Sequence, residues 1–384
     1  MPHPNHSFSG SRKKILTHSL EQHQHHARTP PGSAAAILDI FRNTFANLFV
    51  AAATEEDRDA FVLTPLLQEI KAALFARDFD AAFSNARPAL LDAYAARWSP
   101  TRALAYAAAL TGLTEHLEAL MLPVEEASAE GAKVSGPPEG LKRNLRVVSF
   151  GGGAAEIAAF AAYLHMVNAP KTPEDNGEPL TGTIDLVDSA PWGPVVEALH
   201  GSLTTLPALS KYASAAAKAT NAALVDPSLL SSAFTHDNAL TMSRDQLASR
   251  FGTANGDGNP LLVTLLFTLN ELYTTGGIGK TTAFLMNLTA TVPDGSLLLV
   301  LDSPGSYSEA AVGKESKKYP MHWLIDHCLL KPEQRGSAQS TGGRYWDKID
   351  SQDSVWFRLS ESVTYPIPLE NMRYQLHLYR AIRS

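Results

Sequence analysis

A chain of 384 residues with 45% hydrophobic content carries enough apolar side chain for one large domain and a smaller one, each with its own core. Its formal net charge of -7 argues against a broadly basic surface for nucleic acid. The single cysteine, Cys328, excludes an internal disulfide framework and suits a reducing compartment. No run reaches the roughly 18 apolar residues of a membrane span, and the N-terminus is polar rather than a signal peptide, so an intracellular protein is expected.

Residues 1–33 read as a disordered tail in which Arg12, Lys13, Lys14 and Arg28 face Glu21 alone, along with six of the thirteen histidines. Such a tail can hold an anionic polymer loosely by counterion release. The stretch "HQHHA", His23 to Ala27, lacks a preorganised second shell, so no metal is expected there. Residues 34–122 read as a helical domain: "AILDIFRNTFANLF" sets Ile37, Phe41, Phe45 and Leu48 on one face. Thr64-Pro65 and Ser99-Pro100 mark two further helix starts, and Gly112 suits an end. The alanine-rich spacing predicts close helix packing and a structural role without chemistry. Residues 123–144, poor in large apolar side chains and rich in Pro, Gly and charge, read as a linker.

From 145 to 384 strands and helices alternate, the pattern of a parallel sheet covered on both faces. "LRVVSF" is the first strand, followed by the helix "AEIAAFAAYLHMV"; "GTIDLVD" and "SSAFTHD" are the second and third. Ser243 and Gln246 then form a capping box for a helix. "PLLVTLLFTLN", apolar almost throughout, is a central fourth strand, and "SLLLVLD" is the fifth. "SVWFRL" and "RYQLHLYRAI" make a terminal antiparallel hairpin. The expected fold is therefore α/β, a Rossmann-like sheet of seven strands with an N-terminal helical region.

In such a sheet the ligand lies beyond the carboxyl ends of the strands, where strand order reverses. After the first strand, Gly151, Gly152 and Gly153 permit a sharp turn and close backbone approach. After the second, Asp188 is placed to accept both hydroxyls of a ribose. After the third come Asp237 and Asn238, suited to the amino group and ring nitrogens of an adenine. After the fourth come Asn270, Glu271 and Tyr273. An adenosine-shaped ligand fits all four. Gly151 and Gly153 match the dinucleotide fingerprint, but Glu156 occupies its last position. A carboxylate there disfavours pyrophosphate and tolerates a cation, which suits S-adenosylmethionine, with its sulfonium, its ammonium and no phosphate.

One motif points elsewhere. In "YTTGGIGKTTAFL", Gly279, Lys280 and Thr281 match the end of a nucleotide hydrolase's phosphate loop, and Asp302, closing "LLLVLD", would hold magnesium. Thr274 stands where the loop needs its first glycine, and the stretch follows the fourth strand instead of the first.

The motifs "VVSFGGGAAEIAAF", "IDLVDSAPW", "LLFTLNELYTTGGIGKTTAFL" and "RYQLHLYRAI", in that order, resemble the fungal 25S ribosomal RNA uridine-N3 methyltransferase family, a class I S-adenosylmethionine-dependent group. The similarity covers most of residues 34–384. It implies S-adenosylmethionine contacts for Gly151 to Gly153, Asp188, Asp237, Asn270 and Glu271, and ribosomal RNA or a pre-ribosome as partner, in the nucleus, nucleolus or cytoplasm. A monomer without metal or membrane contact is expected. On this reading Glu271 is the first candidate to remove the uracil N3 proton and Asp302 the second. Tyr273, Tyr307, Trp192 and Trp323 are candidates to stack on the base, and Lys280 to meet a phosphate. The polar stretch 331–353 reads as a loop whose Lys331, Arg335, Arg344, Lys348, Tyr345 and Trp346 suit single-stranded RNA. Three other readings stay open: a small-molecule methyltransferase with a helical lid, a methyltransferase-like fold used only for binding, and a nucleotide hydrolase.

Overall fold

The computed structural model describes residues 26–27, 31–50, 61–121, 143–170, 178–209, 211–219, 221–256, 258–305, 307–312, 315–330 and 343–383. Most of the basic tail, including all its histidines but His26, nearly all of the linker, and Lys331 and Arg335 lie outside the described residues.

Up to residue 121 the described chain is helical apart from a two-residue strand β1 (His26–Ala27). Helices α1 (Pro31–Thr44), α2 (Leu63–Phe75), α3 (Pro88–Arg97), α4 (Ser99–Gly112) and α5 (Thr114–Glu118) follow, with a π-helical turn at Asp80–Ser84 between α2 and α3. Proline in the first turn of α3 and α4 costs no hydrogen bond, because those N–H groups have no intrahelical partner.

Strand β2 (Asn144–Phe150) leads into helix α6 (Ala154–Val167), and β3 (Thr181–Asp188) into α7 (Gly193–Thr204) and the short α8 (Ala215–Ala219). Then come β4 (Leu230–His236), α9 (Arg244–Phe251), β5 (Leu262–Leu266), α10 (Leu269–Thr291) and β6 (Leu297–Asp302). A hairpin of β7 (Tyr307–Val312) and β8 (Glu315–Pro320), the helix α11 (Met321–Leu329), and strands β9 (Arg344–Phe357) and β10 (Met372–Arg383) complete the chain. The main sheet has the order β1-β9-β10-β6-β5-β2-β3-β4. Strands β4, β3, β2, β5 and β6 run parallel, and β10 lies antiparallel between β6 and β9. From β2 the chain moves outward through β3 to β4, then crosses back to β5 on the other side. Strand order therefore reverses between β2 and β5, and their carboxyl ends open the crevice where ligands bind in such sheets.

Two apolar cores, one on each face, hold the layers together. The first joins α6 and α7 to α1, α3 and α4, so the helical segment shares its core with the sheet instead of owning one. This corrects the expectation of two separate cores. The cause is composition: buried alanines of α4 (Ala103, Ala105, Ala107) meet those of α6 (Ala158, Ala161, Ala162), and small side chains let two helices approach closely. The second core packs α9, α10 and α11 against the opposite face through Phe150, Phe251, Phe284 and Ile325.

Three local readings change. Strand β5 stops at Leu266, so Asn270, Glu271 and Tyr273 belong to the first turns of α10 rather than to a strand end. Strand β9 begins at Arg344, so the second half of the expected polar loop is strand; flanked by β10 alone over most of its length, it keeps polar side chains that hide its periodicity. The hairpin β7–β8 and helix α11 lie outside the elements read from the sequence pattern. Among the described residues no helix is long and apolar enough to cross a membrane.

Candidate active site

The carboxyl ends of β2 and β5 are tied together around one threonine. Gly151, just past β2, has φ 72°, and a Cβ there would stand 2.1 Å from Thr268 Oγ1. Only glycine fits both the left-handed backbone and that space. The Thr268 hydroxyl donates toward the carbonyls of Phe150 (3.2 Å) and Leu266 (3.3 Å), bridging the two strand ends. Beside it Phe267 holds φ 60°, rare outside glycine, with its N–H bonded to Leu301 O at 2.7 Å. Such a conformation costs on the order of 1–3 kcal/mol and persists where surrounding packing imposes it, often at functional sites.

A cleft of about 150 Å³ opens there. Its floor is Gly151, Gly153 and Phe267, and its acidic wall is Glu156, Asp188 and Glu271. Glu156, buried in the first turn of α6, accepts the Gly153 N–H at 2.8 Å. The helix N-terminus, elsewhere a ready anion site, is thus already supplied with a carboxylate by the protein itself. Asp188 accepts the Ala190 N–H at 2.6 Å through one oxygen. Asn270 is positioned by its N–H, which donates to Asp302 Oδ2 at 3.1 Å.

The opposite wall comes from the helical region, where the sequence suggested only structure. Phe79, Phe83, Tyr94 and Arg102 line the cleft together with Trp192. Phe83 rides on the π-helical turn, which is held to the loop after β3 by a Ser84–Ser189 hydroxyl contact of 3.1 Å. Its ring meets Tyr94 edge-on at 5.0 Å, and Tyr94 lies 5.9 Å from Trp192. Arg102 donates to the Tyr94 hydroxyl, and its guanidinium lies over the Phe267 ring at 5.3 Å.

Crowded carboxyls in this setting hold their protons more firmly. Burial pushes Glu271 up to about 7, Arg102 pulling the other way and Asp80 adding to the rise. Burial also lifts Asp188 well above the usual carboxylate range, against the Ala190 N–H and with help from Glu271 and Glu156. Glu156 is raised by burial too, opposed first by the Gly153 N–H. Among the described residues three carboxyls line the cleft with a single guanidinium, which calls for a ligand that brings positive charge, and at the α6 terminus the Gly153 N–H is already taken by Glu156.

Of the residues singled out from sequence, Gly151, Gly153, Asp188, Asn270 and Glu271 meet at this cleft. Gly152 turns inward, where a Cβ would stand 2.6 Å from Ser149 Oγ. Asp237 and Asn238 extend the same edge outside the cleft lining: the Asp237 N–H donates to Asp188 O at 2.9 Å, and the Asn238 side chain accepts the Leu240 N–H at 2.9 Å. Asp302 is buried with both carboxylate oxygens receiving backbone N–H groups, from Asn270 and Ser303, so its geometry is that of a positioning group rather than a base.

The other substrate candidates lie elsewhere. Tyr273 points into the second core, because one turn of helix past Asn270 faces the sheet. Lys280 is exposed on α10 beyond Gly277, whose φ of 66° and ψ of 178° break that helix. Arg344 donates to Ala290 O at 2.5 Å, at the far end of α10 from the cleft. Trp346 is buried and donates its indole N–H to Thr289 at 2.9 Å, and Lys348 pairs with Asp326 at 3.0 Å. Trp323 is 64% exposed on α11, and the side chain of Tyr307 lies outside the described residues. The "GGIGKTT" stretch therefore forms a helix kink, and Lys280 is not among the residues lining the cleft. Sequence reading missed Arg102, Tyr94, Phe267 and Thr268. Only Arg102 carried a signal, as the sole charged residue between Pro100 and Gly112, within the alanine-rich helix.

Residues 41–380 match a protein family described as "Putative SAM-dependent methyltransferase". The chain belongs to this family. Among its relatives is the 25S rRNA (uridine(2843)-N(3))-methyltransferase of Saccharomyces cerevisiae, 31% identical over 353 residues, or 89% of this chain and 84% of the yeast protein. Solved structures share less: a SAM-dependent methyltransferase of Methanosarcina mazei is 8% identical, covering 62% of this chain and 93% of its own, with a TM-score of 0.32. An O-methyltransferase family protein of Burkholderia thailandensis is 12% identical over 86% of this chain and 74% of its own, again with a TM-score of 0.32. In a SAM-dependent methyltransferase the acidic cleft agrees with the cofactor's chemistry, since its sulfonium and ammonium meet carboxyls and no phosphate needs an amide cradle.

Proposed function

We propose that this methyltransferase acts on N3 of a uridine in large-subunit ribosomal RNA, on free RNA or a pre-ribosome, in the nucleolus or cytoplasm. The observation that carries the proposal is the 31% identity to the yeast 25S rRNA (uridine(2843)-N(3))-methyltransferase across 89% of the chain. The Gly151–Gly153 turn, Asp188 and the Asn270–Glu271 pair at the β2/β5 crevice support cofactor binding there, with Asp188 toward the ribose. Asp237 and Asn238, along the same edge, are assigned to the adenine.

When bound, S-adenosylmethionine supplies an electrophilic methyl group on a sulfonium, already a good leaving group. The protein's task is then alignment and management of one proton. Uracil N3 bears that proton on its pairing edge, so the base must be turned out of any duplex before it is modified. Phe83, Tyr94 and Trp192 offer flat faces for such a base beside Glu271. Glu271, held near neutrality by burial, accepts the N3 proton. Asp302 keeps the first turn of α10 in place through the Asn270 N–H.

The helical wall also favours a second reading, a small-molecule methyltransferase with a lid, because the side chains facing Glu271 are aromatic and enclosed. Incubating the protein and labelled S-adenosylmethionine with unmodified 25S rRNA, followed by nucleoside analysis, separates the two. 3-Methyluridine at one position is the expected product. Turnover of cell-extract metabolites with no label in RNA would overturn the RNA assignment.

A further inference from the structure

We propose that Arg102, from helix α4, is the anchor for the α-carboxylate at the amino-acid end of S-adenosylmethionine. The inference rests on the reading that the β2/β5 cleft holds this cofactor. Among the described residues Arg102 is the only cation lining the cleft, against Glu156, Asp188 and Glu271. Its contacts are the Tyr94 hydroxyl and the faces of Tyr94 and Phe267, at 5.4 and 5.3 Å. No ion pair joins it to any described carboxylate, although those of the acidic wall stand in the same cleft. A guanidinium partly withdrawn from water between aromatic faces is costly unless an anion completes it.

The cofactor carries two cationic groups and one anionic group. Carboxyls answer the first two, and the planar fork of Arg102 matches a carboxylate through two parallel N–H bonds. An RNA phosphate is a poorer partner. Arg102 lies within the wall of the cleft, under Tyr94 and beside the Phe267 turn, where a polymer backbone does not enter. The helical region thereby reads the end of the cofactor that the sheet loops leave unanswered. That also explains why an alanine-rich packing helix keeps one arginine on its cleft side.

Calorimetric titration tests this with two ligands, S-adenosylhomocysteine and its decarboxylated analogue, against wild type, Arg102→Met and Arg102→Lys. Wild type is expected to prefer the carboxylate-bearing ligand by about 10- to 100-fold, the range for hydrogen bonds to a charged group. Arg102→Met should bind both ligands alike, and Arg102→Lys should keep part of the preference. Equal wild-type affinity for the two ligands overturns the proposal, and so does an undiminished preference in Arg102→Met. Should Arg102→Met fail to give a cooperative melt, the wild-type ratio and Arg102→Lys decide the matter alone. Failure of wild type to bind S-adenosylhomocysteine at all would instead sink the assignment of the cleft to this cofactor.

Discussion

The two faces of the sheet carry similar side chains and use them in opposite ways. Under α9, α10 and α11, Arg344, Trp346, Lys348 and Tyr273 turn inward: the arginine to main-chain carbonyls, the tryptophan to Thr289, the lysine to Asp326 and the tyrosine into apolar packing. Under the helical layer, Arg102, Tyr94, Phe83 and Trp192 line a cleft at the carboxyl edge. Arginine beside aromatic residues suggested an RNA surface on the first face, and alanine-rich helices suggested mere scaffolding on the second. The structure reverses both. An arginine next to an aromatic ring is equally able to satisfy carbonyls at a helix end or to meet a ligand, and only the depth of burial and the nearest backbone decide which.

The contrast can be broken most forcefully at Trp346. Trp346→Ala removes a buried indole and its bond to Thr289, and should cost about 3–5 kcal/mol of stability. Binding of S-adenosylhomocysteine by the folded fraction should stay within a factor of two, as measured by denaturant melts and titration; a large loss of affinity at equal folding would place this face in the site.

Glu271 sharpens the other side of the comparison. Its folded carboxyl titrates near 7, above the ordinary 4.5, so protonation favours the folded state. That contribution is full below pH 4.5 and declines until pH passes about 7, a loss on the order of 3 kcal/mol without ligand. Glu271→Gln should flatten this decline in melts between pH 4 and 8. For wild type, kcat/KM on RNA should rise through a limb near pH 7 that Glu271→Gln lacks, with turnover falling at least tenfold. A variant that retained both the limb and full turnover would remove Glu271 from proton transfer.

The smallest effect is expected at Lys280, exposed on α10 away from either core. Lys280→Ala should leave melting and cofactor affinity unchanged and lower the salt slope of RNA binding by about one if it meets a phosphate. An unchanged slope would mark it as a solvated lysine.

Much of the site was legible because the ligand edge of a parallel sheet follows from the order of its strands. Gly151, Asp188 and Glu271 each come directly after a recognisable apolar run, and each lines the cleft. Arg102 and Tyr94 precede β2 by some forty residues or more and belong to helices whose pattern records only packing. Thr268 and Phe267 were hidden differently, since the apolar run of β5 continues past Leu266 and the sharp turn there leaves no glycine to mark it. Gly277 carried the opposite signal: in place of a phosphate loop, it supplies a break within a long helix.

Local pattern by itself determined the alternation of strands and helices, the parallel centre and the terminal hairpin, because hydrophobic period and turn residues act over a few neighbours. Tertiary structure alone decided that the helical segment shares the sheet's core, that Arg102 enters the acidic cleft, and that Arg344 and Trp346 turn inward on the opposite face. Those outcomes depend on which surfaces exclude water together, a property of packed layers that no single stretch of chain contains.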